Sequence, residues 1–314
     1  MSGISHPRVS SDNQSRSETR ISSSHWHRTT GSQHAARAEC GRSGMLPLTL
    51  SFSGSGHLLC YQLGVAYHLL GRRDVTVTSL AGCSGGAIVA AVASCLPAQS
   101  IKAFAQEWAI EGRSWAGLDA ALPADVATPA SGRLHVGLTE CSSSNGGGGG
   151  RLAVLSSFSE RGELLQALRA SCHIPRSFHP FDLCRRTPVY PASEGLQVGD
   201  RFFVDGGLSA TFIDPAVAVA SVRQQQRQQL VVVTPVSGPT ATTQSHQRIS
   251  PTDTSFGVGK FTLPGGQLQG YLSVQNLRGL VMSVGGGTPQ ALQAQFDLGA
   301  RDAASWYEAL CRQQ

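Results

Sequence analysis

The hydrophobic pattern of the chain becomes regular at Leu46. The run Leu46-Pro47-Leu48-Thr49-Leu50-Ser51-Phe52 reads as a short strand, closed by the small residues Ser53-Gly54-Ser55-Gly56. Residues 57–71 read as a helix ending at Gly71, and Val75 to Leu80 as a second strand of β-branched type. The turn Ala81-Gly82-Cys83-Ser84-Gly85-Gly86 leads into Ala87 to Cys95, a segment apolar on all sides and therefore predicted to be a buried helix. Strand, helix, strand, helix in this order predicts a parallel sheet with helices on its faces.

Further along, Ile101 to Glu111 predicts a helix, Leu134 to Leu138 and Leu152 to Leu155 predict strands, and Glu160 to Cys172 predicts an amphipathic helix. Phe202-Phe203-Val204 is a strand leading into Asp205, and Leu230 to Thr234 is another. Residues 237–270 are full of Gly, Thr, Ser and Pro and read as an irregular insertion. Pro289 to Arg312 reads as one closing helix, interrupted or kinked near Gly299. Five consecutive glycines, Gly146 to Gly150, form a loop and not a phosphate cradle, because no helix carrying Lys or Thr follows them. The chain divides on this reading into a disordered tail (1–45), a catalytic domain (46–218) and a C-terminal extension (219–314).

Composition narrows the class. The tail is rich in Ser, Arg, His and Gly without periodicity, too polar to offset its ordering entropy, and in composition resembles an organelle transit peptide. It carries three of the five net positive charges, and no Lys/Arg run elsewhere resembles a nucleic-acid patch, so a nucleic-acid partner is not expected. Only 14% of residues are charged, which suits a surface that meets apolar material. No run of about 18 apolar residues or N-terminal apolar core is seen, so neither a membrane span nor a secretory signal is expected. Eight cysteines without C-x-x-C or zinc spacing predict free thiols in a reducing compartment, with Cys60, Cys83 and Cys95 buried, and no metal.

Three short motifs carry candidate chemistry. Gly82-x-Ser84-x-Gly86 fits a nucleophile elbow, a sharp strand-to-helix turn that exposes a serine hydroxyl, and here a β-branched strand precedes it and an apolar helix follows. Gly54-Ser55-Gly56 ends the first strand, where small residues let backbone N–H groups approach an anionic oxygen. A dinucleotide site is excluded at that point: Leu59 stands where the third glycine would be, and no acid ends the second strand. Asp205-Gly206-Gly207 follows a strand, and its carboxylate is able to accept a serine proton. His173 and His179 sit in turn-like sequence and are read as structural.

The three motifs in this order resemble the patatin-like phospholipases, especially their adipose-triglyceride-lipase-like branch. The resemblance spans about residues 46–215 and includes Gly64-Val65-Ala66, Leu168-Arg169-Ala170-Ser171-Cys172 with Ile174-Pro175, and Phe203-Val204-Asp205-Gly206-Gly207. It implies a three-layer α/β fold with a mostly parallel central sheet and helices on both faces. It also implies a lipid acyl hydrolase with Ser84 as nucleophile, Asp205 as general base, an oxyanion hole at Gly54, Ser55 and Gly56, and no cofactor. The implied partner is a phospholipid or acylglycerol at a membrane or lipid-droplet surface, with the protein intracellular and peripheral. In one respect the chain departs from the family pattern: where the family often writes Gly-Gly-Gly-x-Arg/Lys-Gly, His57-Leu58-Leu59 follows Gly56. Three alternatives stay open at this stage: a triad of Ser84 with Asp214 and His246, a lipid-binding module without activity, and acyl transfer to an acceptor other than water.

Overall fold

The computed structural model describes residues 45–110, 112, 114–142, 150–179, 189–218, 229–239, 247–252, 259–263 and 267–313. The N-terminal tail up to residue 44, most of the glycine run and His246 lie outside the described residues.

In chain order, β1 (Leu46–Phe52) leads through a 3-10 turn at Gly56–Leu58 into α1 (Leu59–Leu70), β2 (Val75–Cys83), α2 (Gly85–Cys95) and α3 (Ala98–Phe104). The end of α3 passes into a π-helical turn over Ala105–Ile110, where the sequence predicts a continuous α-helix. Next come α4 (Trp115–Ala121), α5 (Ala127–Ala130), β3 (Leu134–Glu140), β4 (Leu152–Leu155) and α6 (Arg161–Ser171). Then follow β5 (Leu196–Val198), β6 (Arg201–Asp205), α7 (Pro215–Ala218), β7 (Gln229–Val233) and β8 (Gln247–Ile249). A two-stranded ribbon of β9 (Lys260–Thr262) and β10 (Gln269–Tyr271) precedes α8 (Val274–Gly285) and α9 (Pro289–Arg312).

The central sheet runs β5-β6-β3-β2-β1-β7-β8, with β4 also paired to β3. Its middle is parallel: β1 pairs with β2 and β7, β2 with β3, and β7 with β8. The antiparallel pairs are those of β3 with β4 and β6, and of β5 with β6. The expected α/β architecture is therefore present, a mixed and mostly parallel sheet with helices packed around it. Leu48, Leu50 and Phe52 of β1 are fully buried, as a central strand covered on both faces requires. α2 is buried along nearly its whole length, and its Ala and Gly residues let it lie close against the sheet.

Two expectations at the C-terminal end are corrected. Residues 237–270 are not wholly irregular: β8 extends the main sheet and β9–β10 forms a ribbon. The buried Arg248 guanidinium organises this region by donating to the carbonyls of Gln269, at 2.8 Å, and of Val236. α9 runs through Gly299 without interruption, and Gly299 has a different purpose. A Cβ there would run into the carbonyl of Tyr61 on α1, and a Cβ at Gly64 of α1 would run into the carbonyl of Phe296 on α9. The two helices cross through reciprocal glycines. α8 is an element the sequence pattern did not announce, because Gly279 and the glycines at 285–287 interrupt its periodicity.

Candidate active site

The three motifs converge at the carboxyl end of the parallel strands, where open α/β sheets place their ligands. β3 acts as the ruler. Its Gly137 pairs with Cys83 at the end of β2, and the next residue, Leu138, pairs with Asp205 at the end of β6. The chain ends that carry Ser84 and Asp205 therefore meet at one level of the sheet.

Ser84 sits between β2 and α2 with φ 53° and ψ −130°, and among the described residues it is the one non-glycine with positive φ. Such a conformation costs on the order of 1–3 kcal/mol and persists only where the surroundings hold it. Both flanking glycines are required by space: a Cβ at Gly82 would strike the carbonyl of Gly86, and a Cβ at Gly86 would strike the carbonyls of Phe52 and Ser53. This is the elbow geometry that G-x-S-x-G predicts.

The Ser84 hydroxyl donates to Oδ2 of Asp205 at 2.7 Å. Oδ1 of the same carboxylate accepts the Gly207 amide at 2.7 Å, so both oxygens are oriented. The backbone of Asp205 is fixed as well: its N–H donates to the His173 carbonyl at 2.8 Å, and its carbonyl accepts the Thr139 hydroxyl at 2.7 Å. Asp205 is buried, and burial pushes its pKa up from 3.8 to about 6, against the two hydrogen bonds that favour the charged form. A carboxylate tuned to this value is a far better proton acceptor than an exposed aspartate.

Gly54, Ser55 and Gly56 lie beside the pair. A Cβ at Gly54 would stand 3.7 Å from the Ser84 Cβ and 3.6 Å from the Gly207 Cα, so the first motif touches the other two. Among the described residues, the amides of Gly54, Ser55 and Gly56 have no hydrogen-bond acceptor, which leaves them available as donors. Gly56 adopts φ 49°, the left-handed conformation that suits glycine. Gly206 has no room for a side chain, because the Gly137 carbonyl occupies the place of its Cβ.

Sequence reasoning missed the residues that hold this arrangement. The Ser171 hydroxyl, fully buried at the end of α6, accepts the Ser84 amide at 2.9 Å and donates to the Gly137 carbonyl at 2.7 Å. Gln62 on α1, also fully buried, accepts the Ser55 hydroxyl at 2.9 Å and donates to the carbonyls of Ser53, at 2.9 Å, and Val233, at 3.2 Å. A glutamine within an otherwise apolar helical face was the available signal for the second; the first lies in the Leu168–Cys172 stretch that carries the resemblance, which assigned Ser171 no role.

The rival triad finds no support in these contacts. Asp214 caps α7 by accepting the Ala216 amide at 3.0 Å, and His246 lies outside the described residues. The His173 ring meets the Glu194 carbonyl at 2.9 Å and contributes only its own carbonyl to Asp205. Two thiols flank the site, but burial and the charge of Asp205 push both Cys83 and Cys172 up, so each stays protonated and a poor nucleophile beside Ser84. Cys60, Cys83, Cys95, Cys141 and Cys172 are thiols and not disulfides, although Cys95 is only partly buried.

No family model matches the chain. Two human proteins do show similarity to it. Omega-hydroxyceramide transacylase is 28% identical over 204 residues, covering 57% of this chain and 35% of the relative. Patatin-like phospholipase domain-containing protein 4 is 27% identical over 186 residues, covering 52% of this chain and 66% of the relative. The chain thus spans about a third of the first relative and just under two thirds of the second. Both relatives are named for lipid chemistry, and the mixed, mostly parallel sheet found here is consistent with an α/β patatin-like fold. On sequence and fold together, this chain is similar to the patatin-like phospholipases.

Proposed function

We propose that the protein is a lipid acyl hydrolase that works through a Ser84–Asp205 dyad. The observation that carries this reading is the 2.7 Å hydrogen bond from a strained serine to a buried carboxylate with a raised pKa. Asp205 takes the hydroxyl proton as the Ser84 oxygen attacks an ester carbonyl. The amides at Gly54–Gly56 hold the oxyanion of the tetrahedral intermediate, each worth roughly 3 kcal/mol. Collapse expels the alcohol, which leaves with the proton from Asp205, and an acyl-serine remains. Water then attacks and gives its proton to Asp205; collapse of this second intermediate breaks the bond to Ser84, whose oxygen takes that proton back, so the fatty acid is released and the dyad restored. The substrate class is a phospholipid or acylglycerol presented at a lipid surface.

Similarity to the human transacylase favours a second reading, in which the hydroxyl of another lipid replaces water in the last step. The same residues serve both readings. The test is fatty-acid release from phospholipid and triacylglycerol by wild type, Ser84→Ala and Asp205→Asn. Wild type alone is expected to be active, with each variant reduced by about a thousandfold or more. Equal inactivity of all three folded proteins on both lipids would favour the non-catalytic lipid-binding alternative. Retained activity in either variant would dismiss the dyad. Appearance of acylated acceptor in place of free acid would select the transacylase.

A further inference from the structure

α8 carries most of its apolar side chains outward, while Met282 packs against the core. Val274, Leu277, Val281 and Val284 recur at helical spacing on one face, and the last three are 61%, 68% and 78% exposed. No residue of this helix is buried. Polar contacts help to hold it in place. The Asn276 side chain donates to the carbonyls of Ser237, at 2.8 Å, and Tyr271, at 2.7 Å, and accepts the Ser237 amide at 2.8 Å. Ser273 caps the N-terminus by accepting the Asn276 amide.

The opposite face of α8 lies on the loop beside Ser84. Gly279 rests against Leu58, and the Ser283 carbonyl fills the space where a Cβ of Gly56 would be. The helix therefore borders the mouth of the site with its apolar stripe facing out. We propose that this stripe is a docking surface for an anionic phospholipid bilayer, lying in the headgroup plane and setting Ser84 over the lipid.

Three observations choose this occupant. First, the sequence from 254 to 296 contains no acidic residue, and the charged residue of α8 itself is the exposed Arg278, so the helix complements anionic headgroups. Second, the stripe is purely aliphatic, whereas protein hot spots are built on Trp, Tyr and Arg in packed pockets. Third, at 12 residues the helix is too short to span a bilayer and suits lying along one. The inference rests on the acyl-transfer reading only for its biological purpose; the binding itself is independent of catalysis.

The test uses the full chain and vesicles of phosphatidylcholine and phosphatidylserine. Wild type and Ser84→Ala are expected to co-sediment equally with these vesicles. The triple variant Leu277→Ser, Val281→Ser, Val284→Ser is expected to lose affinity by about tenfold for each side chain withdrawn. It should still cleave a dissolved short-chain ester at the wild-type rate. A Leu280→Trp variant supplies a readout that needs no loss of binding: its indole emission, taken against wild type, should shift to the blue with vesicles. Vesicle binding that is unchanged in the triple variant, or absent in wild type, would overturn the proposal. So would an indole emission from the Leu280→Trp variant that is insensitive to lipid. A wild-type dimer that the triple substitution dissociates, without change in vesicle binding, would assign the face to a second copy instead. Failure of wild type on the dissolved ester would count against the acyl-transfer reading and leave the docking result standing.

Discussion

Asp205 joins two properties that pull against each other. Its burial raises the pKa to about 6, which makes it a useful base and also makes its charged form unfavourable in the fold. Because the proposed dyad needs the carboxylate, kcat/KM is expected to rise with pH through about 6 and to level off above it, as a pH–rate profile would show. Stability runs the other way. The folded state holds the proton more tightly than the unfolded chain, so the contribution of Asp205 is present below about pH 4 and is lost as pH rises through about 6. Asp205→Asn is therefore expected to stabilise the protein by about 1–3 kcal/mol at pH 8, with the advantage shrinking toward pH 4; melting curves at several pH values measure it. Ser171 is a positioning residue by geometry, since it touches the Ser84 amide and not the hydroxyl. Ser171→Ala leaves a buried amide and the Gly137 carbonyl short of a partner, and should cost about 1–3 kcal/mol of stability. It should lower kcat with little change in KM, because the binding surface remains while the nucleophile is less well aimed.

Elements meet here through missing side chains. The α1–α9 crossing depends on Gly64 and Gly299, each facing a carbonyl of the other helix. Gly299→Ala improves the intrinsic helix propensity of α9, yet it is expected to destabilise the protein by about 1–3 kcal/mol, as thermal unfolding would record, because the added methyl has no space. A gain in stability would show that the crossing is loose. At the other end of α9, the Tyr307 hydroxyl donates to Asp74 at 2.6 Å and the Arg72 guanidinium stacks on its ring at 3.7 Å, so the helix is tied to the turn before β2. α6 and the elbow are joined by a polar contact of the buried Ser171 as well.

At the scale of the molecule, the sheet runs on past the stretch that carries the three motifs. β7 hydrogen-bonds along β1, the strand that leads to Gly54–Gly56, and Gln62 bridges Ser53 to the end of β7. A chain ending at residue 218 would lose β7 and β8 from the sheet and α9 from the face of α1. Such a fragment is expected to be insoluble or unfolded by circular dichroism. A soluble, cooperatively folded fragment would place a domain boundary there.

The local pattern was sufficient to announce β1, β2, α2 and α9 and the three motifs, because each is a run of one character that starts shortly after a glycine or is itself marked by glycines. It was sufficient for the parallel sheet too, since strands that alternate with helices have few other ways to pack. It did not reveal β8, β9 and β10, which are three residues long and lie in a stretch rich in Gly, Thr, Ser and Pro. Nor did it reveal α8, whose apolar stripe is broken by glycines, or the packing purpose of Gly299, which a single helix reads as a weakness. Ser84 and Asp205 stand 121 residues apart, and the local pattern marked each by its own motif without showing their contact. Their 2.7 Å contact, the raised pKa and the support from Ser171 exist because β3 aligns the ends of β2 and β6. Hydrophobic period is a property of neighbours along the chain, so the sequence determined the elements. Register, burial and buried hydrogen bonds depend on residues far apart in it, so only the tertiary structure decided the site.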